Sequence, residues 1–423
     1  MSMDTEWDVI VVGAGLAGLS TAATAAQRGA RVVVLEAHRA GGRARTVERE
    51  GFVLNMGAHA LYRGGVGMQV LASLGISPQG QAPPLDRYRA LRSGRQHLMP
   101  TGAGTLLRSD ALGARSKAQL ARLLGLLPRI QSATLSHTSV ADWIADQALR
   151  PDAEAVLGAL VRLSTYAADF EGCSADAAVS QMQIAAKGGV LYLDGGWSTL
   201  VDALSTGVEV RTGSSVHGVE GAPDRAVVHL GDSTLTAGRV VLATGGPAAV
   251  RRLLPAEPEW GDLGGPVTAA CLDLGVRHVP LPGYVLSLDD PLYATVQSPP
   301  ARQAPDGQAV VAALRYGARG AAEDRSQLEG VVAEAGVRPE DVVTRRFLAD
   351  MTVAGTLPRP QNGGLAGRPG VTDTGVPGVL MAGDWVGPAG LLADASLASG
   401  HAAGRAAAVA VGTGYEQSGR IGR

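Results

Sequence analysis

The stretch DVIVVGAGLAGLSTAATAAQRGARVVVLEA, residues 8–37, constrains the fold more than any other part of the sequence. It opens with an apolar run, Asp8 to Val12, whose β-branched residues are typical of a buried parallel strand. The alanine-rich segment from Leu16 to Gln27 predicts a helix, and RVVVLE, residues 31–36, predicts a second strand. We therefore expect a strand–helix–strand unit at the beginning of a parallel sheet.

The turn between the first strand and the helix carries Gly13, Gly15 and Gly18 in GxGxxG spacing. Gly13 permits a tight turn, Gly15 lets a pyrophosphate approach the backbone, and Gly18 lets helix and strand pack closely. The helix N-terminus offers free N–H groups to phosphates, and Glu36 ends the second strand where an acid accepts hydrogen bonds from a ribose. The pattern predicts dinucleotide binding; the alternative is a plain βαβ unit with incidental glycines. We predict that the neighbouring residues Ala14, Ala17 and Ala37 also contact the dinucleotide.

Composition excludes several other classes of protein. A chain of 423 residues is long enough for two lobes, and 46% hydrophobic with 18% charged residues is typical of a packed globular protein. The net charge of −2 offers no basic surface for nucleic acid. Cys173 and Cys271 are isolated, which favours a reducing, cytoplasmic setting without disulfides. The scattered histidines lack ligand spacing, so we expect no metal site.

The sequence also gives expectations about membranes and export. The opening stretch MSMDTEWDVI is acidic where a signal peptide would be basic, so we do not expect export. No apolar run approaches the roughly 18–20 residues that span a bilayer. We therefore expect a cytoplasmic protein that is at most attached to a membrane surface.

A second glycine-rich turn, GGRART, begins at Gly41, and LNMGAHALY follows from residue 54. With these motifs the sequence resembles the flavin amine oxidase, phytoene desaturase and protoporphyrinogen oxidase superfamily, most closely its desaturase-like members. The resemblance implies FAD, with Gly42 and Arg43 along the diphosphate. It also implies that Gly57, Ala58 and His59 pass the isoalloxazine ring. Desaturase-like members often carry an acid where this chain has Asn55, so that role is not transferred.

Two central motifs extend the resemblance. GVEVRTGSSVHGVEG, residues 207–221, predicts strand, turn and strand. The resemblance places Val216 in the second strand, at the position whose backbone touches the adenine in the family. GRVVLATGG, residues 238–246, predicts another buried strand. The resemblance places its last turn beneath the cofactor, whereas an ordinary strand-to-helix turn is the alternative. The residues of that turn are Ala243, Thr244 and Gly245.

The C-terminal motif completes the predicted site. GVPGVLMAGDW, residues 375–385, predicts a last strand with Gly383 and Asp384 at its carboxyl end, where ligands bind in open α/β sheets. The small-residue helix that follows begins near Leu392 and Ala393. The resemblance implies that Asp384 meets the ribityl chain and that the first helical turn meets the flavin O2 edge, where its N–H groups stabilise negative charge.

These motifs predict a doubly wound, Rossmann-type α/β FAD-binding domain made of three separate segments, together with a mixed α/β substrate domain. We assign residues 1–75, 190–254 and 366–423 to the FAD-binding domain. Residues 76–189, expected to be helical, and 255–365, expected to be rich in strands, form the substrate domain. The sequence does not indicate the oligomeric state.

The first insert contains a leucine-rich basic segment, residues 106–130, for which two interpretations are open. SKAQLARLLGLLPRI places four leucines on one helical face, with Ser116 as the expected N-cap and Pro128 as the end of the helix. A core helix with a solvated basic face is the simpler interpretation. Peripheral membrane contact is the other, because basic amphipathic helices can lie in a bilayer interface.

Three functions are compatible with these expectations. The first is an FAD-dependent dehydrogenase or desaturase that passes a hydride from an organic, largely apolar or specialised substrate to flavin N5, with oxygen or another acceptor reoxidising the flavin. The second is a flavin amine or amino-acid oxidase, against which we count 4% aromatic residues and the lack of lysine in 255–365. The third is a non-enzymatic, escort-type binding protein of the same fold. His59 is the one candidate proton acceptor, with a structural role as its alternative, and no flavinylation motif surrounds either cysteine, so we expect non-covalent FAD.

Overall fold

The computed structural model of the chain describes residues 7–418, with side chains described up to residue 409, so most of the acidic opening stretch lies outside the described residues. The strands, in chain order, are β1 Trp7–Val12, β2 Val32–Glu36, β3 Thr46–Arg49, β4 Phe52–Asn55, β5 Leu61–Tyr62, β6 Gly80–Gln81, β7 Arg89–Arg92, β8 Arg95–Leu98, β9 Val190–Leu193, β10 Glu209–Thr212, β11 Gly218–Ala222, β12 Arg225–Leu230, β13 Ser233–Leu242, β14 Val267–Val276, β15 Val285–Ser287, β16 Leu292–Ser298, β17 Ala309–Tyr316, β18 Val342–Ala354 and β19 Val379–Met381. The α-helices are α1 Leu16–Gln27, α2 Val66–Ser73, α3 Ala103–Arg108, α4 Ala114–Leu126, α5 Val140–Asp146, α6 Pro151–Thr165, α7 Ala175–Gly188, α8 Ser198–Ser205, α9 Pro247–Arg251, α10 Ala321–Glu334 and α11 Leu392–Ser418.

The first sheet gathers strands from distant parts of the chain. Its order is β10-β2-β1-β13-β12-β11, and β19 pairs with the last part of β13. The strands β10, β2, β1, β13 and β19 are parallel, whereas β12 and β11 are antiparallel. Because their carboxyl ends meet at one edge, the predicted glycine turns and Gly383 lie at the same edge. This sheet confirms the predicted doubly wound α/β class.

Helices α1, α2, α8 and α11 cover one face of this sheet in a shared apolar core with the strands. The contact between α1 and α11 depends on small residues. A side chain at Gly400 would collide with the Ala17 carbonyl, and at Gly404 the Thr21 carbonyl would lie 2.5 Å away. Glycine therefore lets the last helix pack directly against the first.

The second sheet, of order β18-β14-β17-β16-β15-β7-β8, is formed mainly by strands that follow residue 266. Helix α10 packs on one face through Leu328, Val331 and Val332. The other face packs against α4 and α6 and turns toward the segment that follows β4. Buried side chains alternate along β16, so Tyr293 points to the second face while Ala294 points to α10. The domain limits given above remain a prediction.

Two local predictions were wrong. Helix α4 begins after Gly113, its N-cap residue, and Ser116 lies inside the helix, where its hydroxyl donates to Asp152 at 2.6 Å. Val216 lies in the connection between β10 and β11 rather than in a strand. The leucine face of α4 is largely in the core, since Leu120 is fully buried. Within residues 7–418, no helix combines the length and apolarity needed to cross a bilayer.

Candidate cofactor and substrate site

A cavity of about 930 Å³ opens at the carboxyl edge of the first sheet and continues toward the second sheet. All of the predicted cofactor residues line it except four that lie just behind its wall. The lining members are Gly13, Gly15, Ala17, Glu36, Ala37, Gly42, Arg43, Ala58, His59, Val216, Ala243, Thr244, Gly245, Gly383, Leu392 and Ala393. The four behind the wall are Ala14, Gly18, Gly57 and Asp384.

The first glycine turn has the geometry of a phosphate cradle. Gly13 has φ +104°, and a Cβ there would lie 2.5 Å from the Ala243 carbonyl oxygen. A Cβ at Gly18 would collide with the Gly13 carbonyl. At Gly15, in contrast, no atom lies within 4 Å of an added Cβ, so the space in front of the α1 N-terminus is open. The turn is thus closed toward the sheet and open toward the cavity, as a bound pyrophosphate requires.

Glu36 lies at the end of the cavity where the sequence predicts a nucleoside. Its carboxylate accepts hydrogen bonds from the Ala14 and His38 backbone N–H groups, each at 2.9 Å. These contacts fix the carboxylate at the carboxyl end of β2. The connection after β10 lies beside it, because the Ser214 N–H donates to the Glu36 carbonyl at 2.9 Å and Val216 lines the same end.

Arg43 and Asp384 form an ion pair across the cavity wall. Arg43 Nη1 lies 2.8 Å from Asp384 Oδ2 and also donates to the Val353 carbonyl at 2.6 Å. Burial alone would lower the pKa of Arg43, but the Asp384 carboxylate outweighs it and raises that pKa. Asp384 Oδ2 also accepts from the Gly355 N–H at 2.9 Å, whereas its Oδ1 is buried with no partner among the described residues. Asp384 thus holds the Arg43 guanidinium in place without itself lining the cavity.

His59 lies between the two ends of the cavity. Its Nδ1 is 2.9 Å from the Gly57 carbonyl oxygen, which assigns the proton to Nδ1 in the neutral ring. Its ring meets Trp197 edge to face, with centroids 5.1 Å apart. Burial lowers the pKa of His59, and the positive charges of Arg43 and Arg346 add to that effect. The Gly57 carbonyl and the Trp197 ring hold the neutral His59 ring in place. His59 therefore forms a fixed part of the cavity wall.

The N-terminus of α11 faces the cavity through Leu392, Ala393 and Ser396. Leu392 has φ +54°, a strained conformation for a residue with a side chain. Next to it, Asp394 Oδ1 accepts from the Gly67 N–H of α2 at 2.9 Å. Burial raises the pKa of Asp394 to about 6. The strained turn directs the first free N–H groups of α11 into the cavity.

The substrate end of the cavity contains residues that the sequence analysis did not identify. They are Met56, Ala60, Tyr166, Trp197 and the stretch from Phe347 to Val353 of β18. Arg45 and Ser396 line the cavity near Arg43 and Ala393, and Ser214 and Ser215 lie at the opposite end, beside Glu36. Met56 and Ala60 fall within LNMGAHALY, whereas none of the motifs given above contains Tyr166, Trp197 or the β18 stretch. Met56, Trp197 and Met351 make this end apolar.

Tyrosines concentrate beside this end, on the sheet face that turns toward α6. Tyr166 OH donates to the Ala58 carbonyl at 3.0 Å and lies 3.2 Å from Tyr293 OH. The Tyr166 and Tyr316 rings meet at 5.8 Å, and those of Tyr293 and Tyr316 stack at 5.6 Å. The tyrosine cluster on this face comprises Tyr166, Tyr293 and Tyr316. Tyr88 forms a second group, since its hydroxyl lies 3.5 Å from that of Tyr192 and its ring contacts Tyr284, which packs on the α10 face. The low overall aromatic content therefore understates what surrounds the site.

A buried ion pair of the second sheet, Arg346–Asp273, holds the backbone at the end of β4 in place. Arg346 Nη2 lies 2.6 Å from Asp273 Oδ2 and also donates to the Asn55 carbonyl oxygen. The Asn55 side chain accepts from the Trp197 N–H at 2.9 Å. Both charged side chains come from the second sheet, so that sheet fixes the backbone on which Ala58 and His59 lie.

The site fits a flavin dinucleotide in several independent respects. The space at Gly15 is open, Thr244 Oγ1 is buried without a partner among the described residues, and the N-termini of α1 and α11 both point into one cavity. Together they define a dinucleotide-dependent oxidoreductase of the α/β class. The family model of the flavin-containing amine oxidoreductases matches residues 16–270, more than half of the chain, and the chain belongs to that family. The predicted family and enzyme class are confirmed.

Solved structures share the fold at low sequence identity. Putrescine oxidase bound to putrescine is 17% identical with a TM-score of 0.73, and the match covers 96% of this chain and 99% of that one. Cyclohexylamine oxidase from Brevibacterium oxydans IH-35A is 18% identical, with a TM-score of 0.71 over 95% and 99% of the two chains. An oxidoreductase from Methanosarcina mazei is 19% identical, with a TM-score of 0.71 over 93% and 99%. No curated protein matches the sequence significantly.

Proposed function

We propose that the protein binds FAD non-covalently in the cavity and oxidises an organic small molecule, with oxygen or another acceptor receiving the electrons. The observation that carries the proposal is one cavity that combines the Gly15 cradle, the Glu36 carboxylate and the N-terminus of α11. Neither Cys173 nor Cys271 lines that cavity, which supports non-covalent binding. Bound FAD would supply a hydride acceptor at N5.

The residues of the chain would contribute binding, orientation and exclusion of water. The Met56, Trp197 and Met351 side chains provide an apolar wall against which a substrate C–H bond can be placed. The N–H groups at the start of α11 would stabilise negative charge at the pyrimidine edge. His59 would shape the ring pocket. Its Nε2, which carries no proton when Nδ1 donates to the Gly57 carbonyl, would be the candidate proton acceptor.

The test is to purify the full chain and to record its visible absorbance. We expect a yellow protein that releases FAD intact on acid or heat denaturation, identified by mass spectrometry. Anaerobic bleaching with a panel of polyenes, porphyrinogens, amines and amino acids then identifies the reductant class. A colourless protein that also fails to take up added FAD contradicts the proposal.

An amine or amino-acid oxidase is the second candidate, and Tyr166 and Trp197 at the cavity wall are the observation that favours it. Strands β14 to β18 contain no lysine, so the lysine-bound water common in the family's amine oxidases has no counterpart on these strands. Bleaching by amines or amino acids but not by polyenes or porphyrinogens would select this candidate.

For location, we propose the cytoplasm, since both cysteines are free and buried. Peripheral membrane contact through residues 106–130 is the competing hypothesis, and the exposed Leu107 and Leu126 side chains are its basis. Co-sedimentation with anionic liposomes at low salt separates the two, because an interfacial segment would bind under those conditions.

A further inference from the structure

Asp394 is a buried carboxylate in the first turn of α11. Its neighbour Ala393 lines the cavity, whereas Asp394 itself lies behind the wall and is 2% exposed. The Ala395 N–H is the first in the helix to donate backward, to the Leu391 carbonyl at 3.3 Å. The N–H groups of residues 392–394 have no acceptor within the described part of the chain and are free for a ligand. The carboxylate therefore lies within one helical turn of them.

The Asp394 carboxylate is closely packed against α2 but only half satisfied. Its Oδ1 accepts from the Gly67 N–H at 2.9 Å, and its Oδ2 is buried with no hydrogen-bond partner among the described residues. A Cβ added at Gly65 would collide with Oδ2, and one added at Gly67 would lie 2.5 Å from Oδ1. Glycine at both positions lets the start of α2 approach the carboxylate this closely.

The elements packed against Asp394 do not neutralise it. Over residues 7–409, no arginine, lysine or histidine nitrogen lies within 4.0 Å of its carboxylate. Helices α1 and α2, which pack against α11, contain no titratable side chain. The Tyr62 hydroxyl of β5 donates to a backbone carbonyl, and burial raises the pKa of Tyr62 to about 12, so this phenol stays neutral.

The cations around the start of α11 bind other groups or lie in solvent. Arg368 donates to the Gly390 carbonyl at 2.9 Å, just before the helix. His401 lies two turns further along α11 and is hydrogen-bonded to α1, and burial lowers its pKa. Arg63 and Lys187, near the start of α2, are exposed. The carboxylate in the first turn of α11 therefore keeps its charge whenever it is ionised.

A charge at this position acts on the group that the first turn of α11 binds. Hydride transfer to flavin N5 brings two electrons and one proton, so the ring gains one negative charge, which the free N–H groups would stabilise. An ionised carboxylate in the same turn opposes that charge, because charges interact strongly where water is excluded. A protonated carboxyl group does not oppose it.

We infer that Asp394 sets the electron affinity of the bound flavin by placing a negative charge in the first turn of α11. The inference rests on the proposed function and specifies how the same site is regulated. An ionised Asp394 favours the oxidised flavin, and a neutral Asp394 favours the reduced flavin. The coupling is reciprocal, so reduction of the flavin draws a further proton from water onto Asp394. Asp394 does not line the cavity and therefore acts as a positioning residue rather than a catalytic one.

The experiment compares the full chain holding FAD with its Asp394→Asn variant at about pH 8 and about pH 5. Asparagine keeps the shape of the side chain and an oxygen for the Gly67 N–H, but it has no charge. The midpoint potential of the bound flavin is measured anaerobically against reference dyes, and the dissociation constant of oxidised FAD is measured by titration of the apoprotein.

We expect the variant to favour reduced over oxidised FAD by about tenfold more than the wild type at about pH 8. For a two-electron couple, this ratio is a midpoint potential about 30 mV higher. Burial raises the pKa of Asp394 to about 6, so the wild-type carboxyl is mostly neutral at about pH 5. The ratio should therefore fall below about twofold at that pH.

Asp202→Asn is the matched control, because Asp202 is exposed on α8, and its midpoint potential should equal that of the wild type at both pH values. If Asp394→Asn does not fold, Asp394→Ser removes the same charge with a smaller side chain. A purely structural role for Asp394 predicts a different result. The variant would then bind both redox states of FAD more weakly by the same factor, and the midpoint potential would not move.

Equal midpoint potentials for the wild type and the uncharged variant at about pH 8 overturn the inference. A difference as large at about pH 5 as at about pH 8 also overturns it, and so does an equal shift in Asp202→Asn. Failure of the proposed function is a separate outcome, which would appear earlier as an inability of the wild type to hold FAD.

Discussion

The two ends of the cavity are built in different ways. At the cofactor end the wall is mostly backbone: the turn at Gly13 and Gly15, the segment with Thr244 and the start of α11. At the substrate end the wall consists of side chains such as Tyr166 and Met351, carried by elements far apart in the sequence. A backbone site tolerates almost no added atoms, whereas a side-chain site can change its specificity without changing its fold.

The ends also differ in buried charge. Arg346 of β18 pairs with Asp273 of β14 at 2.6 Å, and Arg315 of β17 pairs with Asp324 of α10 at 2.8 Å, all four side chains being nearly inaccessible. At the cofactor end the Arg43–Asp384 pair is only half inaccessible, since Arg43 keeps 37% of its side-chain exposure. The structure around the substrate end therefore depends on buried charges that neutralise each other. The cofactor end depends on the space that its glycines leave open.

The largest losses of folding and of FAD binding are expected at the first glycine turn, where space is most restricted. Gly13→Val places a side chain against the Ala243 carbonyl and imposes φ +104° on a β-branched residue, so the protein should not fold. Gly15→Val, the matched variant, meets no atom within 4 Å and should fold, but its side chain fills the phosphate cradle. Circular dichroism should show this difference, and FAD titration should show at least about a hundredfold weaker binding for Gly15→Val. A folded, FAD-binding Gly13→Val protein would contradict the spatial account of this end.

Breaking the charge pair beneath His59 should have the next largest effect. Asp273→Ala leaves Arg346 buried without its counter-ion, which should lower the free energy of unfolding by about 3–5 kcal/mol. The double variant Asp273→Leu, Arg346→Met removes both charges and should be more stable than the single variant. Urea unfolding measures both. Equal losses of unfolding free energy in the single and the double variant would show that the substrate end does not require its buried charges to compensate each other.

Asp394 gives the cofactor end a dependence on pH. Its pKa of about 6 in the folded protein exceeds the usual value of about 3.9, so the folded state binds the proton more tightly. The free energy of unfolding should therefore fall as pH rises from about 4 to 6 and level off above that, a change of about 3 kcal/mol. Asp394→Asn cannot titrate and should lack this fall, whereas Asp202→Asn on the exposed side of α8 should retain it. Parallel pH profiles for all three proteins would assign the dependence to other groups.

The smallest effects are expected from two substitutions, one of which removes a side-chain contact at the substrate end while the other spares a predicted backbone contact at the cofactor end. Tyr166→Phe removes the hydrogen bond to the Ala58 carbonyl and should lower the free energy of unfolding by about 1 kcal/mol. Val216→Ala should leave the FAD dissociation constant within about threefold, because the adenine contact predicted for this residue is made by its backbone. Chemical denaturation and FAD titration measure the two effects. A tenfold loss of FAD affinity in Val216→Ala would show that its side chain takes part.

The sequence predicted the fold and much of the cofactor end, because both follow from local patterns. Glycines at fixed spacing after β1 and a small-residue segment after β19 report directly on backbone geometry. The Ser116 prediction failed because a serine near a helix start is also suited to an interior position when its hydroxyl donates a hydrogen bond to a carboxylate such as Asp152. Val216 was predicted to lie in the second strand of residues 207–221, but β11 begins only at Gly218, so Val216 belongs to the preceding connection.

The substrate end could not be predicted for a physical reason. Tyr166 and Tyr293 lie 127 residues apart in sequence, yet their hydroxyls are 3.2 Å apart. No local periodicity indicates such a contact, and the tyrosine content alone pointed away from an aromatic site. The carboxyl group of Asp273 and the guanidinium of Arg346 are likewise paired only by the register between β14 and β18.

The contact between α1 and α11 has a consequence for biogenesis. Thr24 and His401 are hydrogen-bonded across 377 residues of sequence, and β13 gains its partner β19 from the same late part of the chain. At about 5–20 residues per second, a ribosome needs about 20–75 s to make the intervening polypeptide. The part of α1 that α11 covers stays exposed throughout that interval. The predicted cofactor site, which includes the first turn of α11, is therefore complete only after residues 392–396 have been made.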